Sequence, residues 1–367
     1  MKKIVIDARG LRTSSGRYVE RLIEYLQEVD TDLSHRYVIL LTPKDMDSWT
    51  PKSKRFTKLA CRYKDFSVGE QLGLAWQLYK LNANLVHFPM AQQPILYQRA
   101  VVTTIQDLTT MRFSNPSKNQ LVFKLKQQVY HWVILIAAKK SRALIAISEF
   151  GKGDVARYTN TNSRKITVTL EAGDSVDAAA EVVPGLEDKQ FIMYVGRPTP
   201  HKNLPRLIDA FIELRLKHPE LHLVLAGKKD SNYKRIARDV KTRSIDGVIF
   251  TDFIPDGQLR WLYEHCAAYV FPSLSEGFGL PGLEAMASGA PVVSSNATSL
   301  PEVQGDAAHY FEPENTTDMT RAINDVLTKP ALRAQLIELG YKQVKKFSWK
   351  RMAEQTLGVY KEALKEN

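Results

Sequence analysis

A chain of 367 residues, 44% apolar and with a mean hydropathy of −0.27, is too long for one ordinary core and too apolar to stay disordered, which leaves a two-domain globular protein. Two well-separated cysteines, Cys61 and Cys266, exclude a disulfide scaffold and a thiolate metal cage; no apolar run is long enough to span a membrane, and without a leader pattern the chain reads as cytoplasmic. The net charge of +11 is uneven, since residues 1–170 carry 27 Lys+Arg against 13 Asp+Glu and the remainder 24 against 27, so the first half either meets something anionic or presents a solvated basic face.

In chain order, Ile4–Asp7 reads as a buried strand, 8–16 as a loop of small residues, and Arg17–Val29 as a helix with Val19, Leu22, Ile23 and Leu26 on one face. Tyr37–Leu41, Leu85–Phe88, Val101–Ile105 and Ala143–Ile147 repeat the strand pattern, with helical stretches between. Continuous Val/Ile/Leu runs of this kind predict parallel strands covered on both faces. The run Val129–Ala138, flanked by lysines, reads as a buried helix, with a helix lying at an interface as the alternative. An acidic, alanine-rich stretch with Pro184-Gly185 then marks a linker.

Strands resume at Phe191–Val195, Leu221–Ala226, Val248–Phe250, Ala268–Phe271, Pro291–Ser294 and His309–Phe311, alternating with helices from about Leu204, Lys234, Asp256, Leu280, Asp318 and Ala331. The pattern predicts an α/β protein of two Rossmann-like, doubly wound parallel-sheet domains facing a central cleft. The first domain spans 1–172, a linker 173–189 and the second domain 190–349. A last amphipathic helix, 350–367, is expected to pack back on the first domain.

Two stretches of the second half carry chemistry. After the strand at 191–195 comes Gly196-Arg197-Pro198-Thr199-Pro200-His201-Lys202-Asn203, where a guanidinium and an ammonium can clamp a diphosphate. After the strand at 268–271 comes Glu276-Gly277-Phe278-Gly279-Leu280-Pro281-Gly282-Leu283-Glu284, a glycine-rich loop entering a helix. Glycine lets backbone N–H groups approach a ligand, Pro281 suits a first helical turn, and a helix N-terminus attracts phosphate. Two carboxylates eight positions apart then flank the amide end. Read alone, the loop is open to two plainer interpretations, a structural turn or the G-x-G-x-x-G dinucleotide fingerprint; the latter wants an acidic residue after the next strand, where Ser294-Ser295-Asn296 stand instead. Asp30-Thr31-Asp32 and Asp45-Met46-Asp47 have metal-binding D-x-D spacing but read as turn or helix-end residues.

Gly196-Arg197 with Lys202-Asn203, Phe271-Pro272-Ser273, the E-x7-E loop and Ser299-Leu300-Pro301-Glu302-Val303 together resemble the retaining glycosyltransferases of family 4, of GT-B fold. The resemblance implies a hexosyltransferase, with mannose or glucose moved from a GDP- or UDP-type donor to a glycan or lipid-linked acceptor on the first domain, with no metal and no cofactor. It implies that Arg197 and Lys202 hold the diphosphate, Glu284 the ribose and Glu276 the donor sugar, with the amides of Gly277, Phe278, Gly279 and Leu280 close by. In the first domain it implies Gly16, in Ser14-Ser15-Gly16-Arg17, near the donor phosphates, and Asp107 at the acceptor hydroxyl. Where the family commonly has His-Asp-Leu, this chain has Gln106-Asp107-Leu108; glutamine can bond a hydroxyl but does not titrate, and Asp107 also reads as a helix cap. Alternatives are a GT-B sugar-nucleotide epimerase or a silent sugar-nucleotide-binding protein. Nucleic acid is set aside for want of a helix-turn-helix, zinc or stacking signature, and the basic half suggests peripheral contact with an anionic membrane at the cell's inner face.

Overall fold

The computed structural model describes residues 1–13, 16–114, 119–174 and 176–365; Ser14 and Ser15 of the small-residue loop lie outside the described residues. The chain divides into two units, one of 1–111, 121–171 and 348–367, the other of 112–120 and 172–347.

The first unit runs β1 (Lys2–Asp7), α1 (Gly16–Val29), β2 (His35–Leu41), β3 (Phe56–Ala60), α2 (Ala75–Leu81), β4 (Leu85–Phe88), β5 (Val101–Thr104), α3 (Thr109–Arg112, ending at the unit's edge), α4 (Gln120–Lys140), β6 (Ala143–Ala146), α5 (Glu149–Thr159) and β7 (Ile166–Val168). Among the described residues its strands form one sheet in the order β3-β2-β1-β4-β5-β6-β7, each neighbouring pair parallel. That order turns outward in both directions from β1 and β4, the doubly wound arrangement. Edge strands β3 and β7 escape the sequence pattern. β3 breaks its apolar residues with Thr57 and Lys58, and β7 is three residues long, so neither shows the continuous apolar run of a central strand.

The second unit runs β8 (Phe191–Val195), α6 (Leu204–Arg215), β9 (His222–Ala226), α7 (Ser231–Thr242), β10 (Val248–Asp252), α8 (Asp256–His265), β11 (Ala268–Phe271), α9 (Leu280–Ala287), β12 (Val292–Ser295), α10 (Leu300–Gln304), β13 (Ala308–Phe311), α11 (Thr316–Thr328) and α12 (Pro330–Val344). Its parallel sheet has the order β10-β9-β8-β11-β12-β13. A buried apolar layer from α6, α7 and α11 covers one face, with Leu207, Phe211, Ile236 and Ile323 against Leu223, Leu225 and Val270. The acidic stretch before β8 lies on α8: Glu181 N donates to Gly257 O, and Arg260 donates to Ala178 O.

The last helix, α13 (Trp349–Lys365), belongs to the first unit and packs along α1. Its buried Tyr360 hydroxyl meets His87 Nδ1 at 2.6 Å, and Arg142 and Lys2 donate to the carbonyls of Ala363 and Leu364. Both acidic pairs of D-x-D spacing are tied into the fold. Asp30 is buried against His35 and Tyr37, and Asp45 accepts from Thr42 Oγ1 at 2.5 Å. Among the described residues no cluster of three potential metal ligands occurs, and no helix is long and apolar enough to cross a membrane.

The helix α4 differs from the expectation of a buried element. Only Val133, Ile134, Ala137 and Ala138, all in its second half, are buried, whereas Leu121, Val122, Leu125, Val129 and Trp132 are exposed. The helix is apolar on two faces, and the sheet covers one.

Candidate functional site

In the second unit the chain turns sharply at the carboxyl ends of β8 and β11, the edge where open α/β sheets bind ligands. After β8, Gly196 takes φ +143 and Asn203 takes φ +59, a left-handed residue that Asn tolerates better than most. Asn203 is buried, and its amide nitrogen donates to Pro272 O at 3.0 Å and to Pro313 O at 2.7 Å. One side chain thereby fastens the β8 turn to those that follow β11 and β13. His201 O accepts from Leu274 N at 2.7 Å and closes the same seam.

This fastening puts Lys202 against Glu276, 74 residues away, with Nζ 2.6 Å from Oε1. Ser273 Oγ donates to the same oxygen at 2.5 Å. The loop carrying Glu276 is itself fixed: its N–H donates to Thr298 Oγ1 at 3.0 Å, its carbonyl accepts from Ser299 Oγ at 3.1 Å, and Ser295 Oγ donates to Ser273 O at 2.6 Å. A carboxylate with this many local restraints keeps one orientation, and an ammonium paired to it is positioned before any ligand arrives.

Beyond Glu276 the loop passes Gly277 and the buried Phe278 and reaches Gly279 at φ +104. A Cβ on Gly279 would lie 2.7 Å from Leu300 Cδ2, so glycine is required there on two counts. Leu280 opens α9, whose first-turn N–H groups have no partners within the helix. Glu284 sits a turn inside α9, buried, with Tyr263 Oη donating to Oε2 at 3.4 Å. Arg197 is exposed just after β8, and among the described residues its guanidinium makes no hydrogen bond or ion pair. The second unit therefore gathers Lys202, Glu276 and the α9 amide end at one sheet edge, with Arg197 at the start of the β8 turn.

Gly16, Gln106 and Asp107 belong to the first unit. Gly16 opens α1 where a Cβ would meet Leu11 O at 1.9 Å, so close packing against a carbonyl explains the glycine. Gln106 Nε2 donates to Pro89 O at 3.1 Å. Asp107 is exposed, and its Oδ1 accepts from Thr109 N at 2.8 Å, an Asx turn one residue ahead of the N-cap position of α3. Ser148 caps α5 by accepting from Gly151 N.

Two residues that shape these edges carry no motif of their own. Ser295 and Thr298, which with Asn203 and Ser273 hold the Glu276 loop, are hinted at in the sequence only through small polar character beside strand ends. Glu171, just past β7, is buried and its carboxyl is raised to about 8, mainly by desolvation, with Arg17 opposing and Asp107 adding to the rise. His87 is buried between Tyr360 and Thr104, and burial lowers it to about 3. It is a neutral, hydrogen-bonded part of the core.

Over residues 178–343 the sequence matches the family described as glycosyl transferases group 1. The O-antigen chain mannosyltransferase B of Escherichia coli is 30% identical over 300 residues, 78% of this chain and 76% of that protein. Among solved structures, sucrose-phosphate synthase from Thermosynechococcus elongatus superposes with a TM-score of 0.79 at 18% identity over 100% of both chains. HepE from Anabaena, solved in complex with UDP-glucose, gives 0.75 at 15% identity over 99% of this chain and 100% of that one. At such identities the structural likenesses speak for the fold alone, and the fold is GT-B.

Proposed function

Because the chain belongs to the glycosyl transferases group 1 and so is a hexosyltransferase, we propose that it moves mannose, in preference to glucose, from a nucleotide-diphosphate sugar to a glycan or lipid-linked acceptor. The observation that carries this reading is the Lys202–Glu276 pair, held 2.6 Å apart at the sheet edge beside the N-terminus of α9. The mannosyl preference draws on the activity named for the Escherichia coli relative, and the nucleotide-diphosphate donor on Lys202 and the α9 amide end gathered at one sheet edge.

In this reading Arg197 and Lys202 bind the diphosphate from the side, and the amides of Phe278, Gly279 and Leu280 bind it along the α9 axis. As the bond from the anomeric carbon to phosphate breaks, negative charge grows on the leaving oxygen and these fixed donors meet it without reorganising. Glu284 accepts hydrogen bonds from the ribose hydroxyls, and Glu276 accepts from a hydroxyl of the sugar while keeping Lys202 in place. In the first unit, Gly16 opens α1 near the donor phosphates, Gln106 offers its amide to a sugar hydroxyl, and Asp107 orients the acceptor hydroxyl. The acceptor oxygen bonds to the anomeric carbon on the face the phosphate leaves. Its proton passes to the leaving phosphate oxygen, and the configuration is retained. Two cationic side chains and a helix terminus serve where a metal would, so activity should survive a chelator. The basic first unit fits a protein working on the anionic inner face of a membrane.

A thermal-shift panel of GDP, UDP and their sugars tests the donor site, with wild type beside Glu284→Ala and Arg197→Ala. Stabilisation by one nucleotide, reduced in both variants, supports it. Binding without turnover on any acceptor, unchanged by Gln106→His, would favour a silent sugar-nucleotide-binding protein instead.

A further inference from the structure

Among the described residues, 11 of the 17 exposed large apolar side chains fall between positions 66 and 132, all in the first unit. Monomeric proteins scatter such residues singly, and a concentration of them marks an interaction surface. Seven of these form two stripes. On α4, Leu121, Leu125, Val129 and Trp132 recur at i, i+4, i+8 and i+11, with Leu125 67% and Trp132 60% exposed. On the π-helical turn Glu70–Leu74 and the α2 that continues it, Leu72 and Trp76 stand four residues apart, with Val68 four residues before them, Leu72 59% and Trp76 57% exposed.

Both stripes look outward from the same face of the sheet. The buried side of α2, Leu74, Ala75 and Leu78, packs with Val86, Phe88 and Val101. The buried side of α4, Ile134 and Ala138, packs with Ile105, Leu144 and Ala146. Val101 and Ile105 are an even number of residues apart along β5 and its continuation, so they face the same way. The helices are also tied side by side. The Phe66 and Tyr130 rings meet edge-on at 5.4 Å, and the β4–β5 loop accepts from Lys140 at Pro94 O and Tyr97 O and from Tyr79 at Leu96 O.

The rim of this face is cationic. Exposed Lys124 and Lys126 flank the α4 stripe on either side, and Lys80 Nζ lies 3.4 Å from the centre of the Trp76 ring. The half of the chain that bears the face is also the half holding 27 Lys+Arg against 13 Asp+Glu. An apolar strip edged by tryptophan and lysine on a helix lying flat matches the headgroup boundary of an anionic bilayer, where acyl chains take the apolar side chains and lipid phosphates take the ammonium groups. We propose that the outward faces of α2 and α4 seat the first unit on an anionic lipid bilayer, inserting Leu72, Trp76, Leu125 and Trp132 beneath a ring of lysine–phosphate contacts. This deepens the proposed function and rests on it only in making the acceptor a lipid-linked one.

The test is flotation of the full chain with vesicles of phosphatidylcholine alone and of phosphatidylcholine with phosphatidylglycerol, at low and moderate salt, comparing wild type with Leu125→Ser/Trp132→Ser. Wild type should float with the anionic vesicles only, and the double variant should lose about tenfold or more in partitioning even at low salt. Its melting temperature and its stabilisation by nucleotide should be unchanged, because both side chains are exposed and lie outside the donor unit. Brominated lipid should quench wild-type tryptophan emission. Binding that disappears at moderate salt and is equal in the two proteins would overturn the apolar insertion and leave charge alone. No binding at all would overturn the proposal, as would a wild-type dimer that the double variant makes monomeric, since a second copy would then cover the face. Loss of vesicle binding with nucleotide stabilisation intact sinks the docking alone, whereas absent nucleotide stabilisation with vesicle binding intact sinks the donor site alone.

Discussion

Replacing Lys202 by methionine keeps the unbranched stem and removes only the ammonium group, which separates charge from packing. Without ligand, the substitution leaves the Glu276 carboxylate with Ser273 as its remaining side-chain donor. The pair is mostly buried, with side-chain exposures of 19% and 11%. Loss of a charged hydrogen bond in such a setting costs about 1.5–3 kcal/mol, or a fall of roughly 3–10 °C in the melting temperature of a unit this size. Nucleotide affinity should fall by less than the charge alone would suggest, because wild-type Lys202 must share itself between Glu276 and an arriving diphosphate. The turnover number should fall further, by about 10²–10³, since the ammonium is needed most where leaving-group charge develops. Steady-state release of nucleotide diphosphate from the sugar donor, with melting curves for Lys202→Met, Glu276→Gln and the double variant, measures all three quantities. A turnover number within about threefold of wild type, in a protein whose melting temperature has dropped, would show that Lys202 supports the fold and not the transfer.

Burial of His87 lowers its folded pKa below the unfolded value, so its contribution is intact above about 6.5 and is lost as pH falls toward 3, by up to about 5 kcal/mol in all; His87→Gln should flatten the acid side of a melting-temperature profile. Glu171 has the opposite sign: its folded pKa is raised, so its contribution is full below about 4.5 and is lost as pH rises through 8, and Glu171→Gln should melt higher than wild type at pH 9. Gly279→Ala, forced to hold φ +104 with its methyl against Leu300, should lose about 1–3 kcal/mol in denaturant unfolding and weaken nucleotide binding together. Unfolding of Gly279→Ala at the wild-type midpoint would refute both the left-handed backbone at this position and its close approach to Leu300.

The candidate site of the second unit was legible in the sequence because its signals are local. Glycine and proline punctuate strand ends, and Arg197, Lys202, Glu276 and Glu284 stand out as charges inside otherwise apolar βα units. Distance in sequence hid the rest. Spacing brings Lys202 near a strand end but does not pair it with Glu276; the pairing depends on Asn203, whose amide reaches the carbonyls of both Pro272 and Pro313. The amphipathic period of α13 announces one buried face, and only the fold supplies its partner, a histidine 273 positions away. Edge strands β3 and β7 lack the two-sided burial that writes a continuous apolar run. The helix α4 shows the same limit from the other side: an all-apolar run reports that both faces avoid water without saying what covers each. The sheet accounts for Ile134 and Ala138, and nothing within the described residues accounts for Leu125 and Trp132. A sequence reading that assigns every apolar residue to the core must fail where the chain is built to bury one face in itself and the other in something else, so the misread helix is also the informative one.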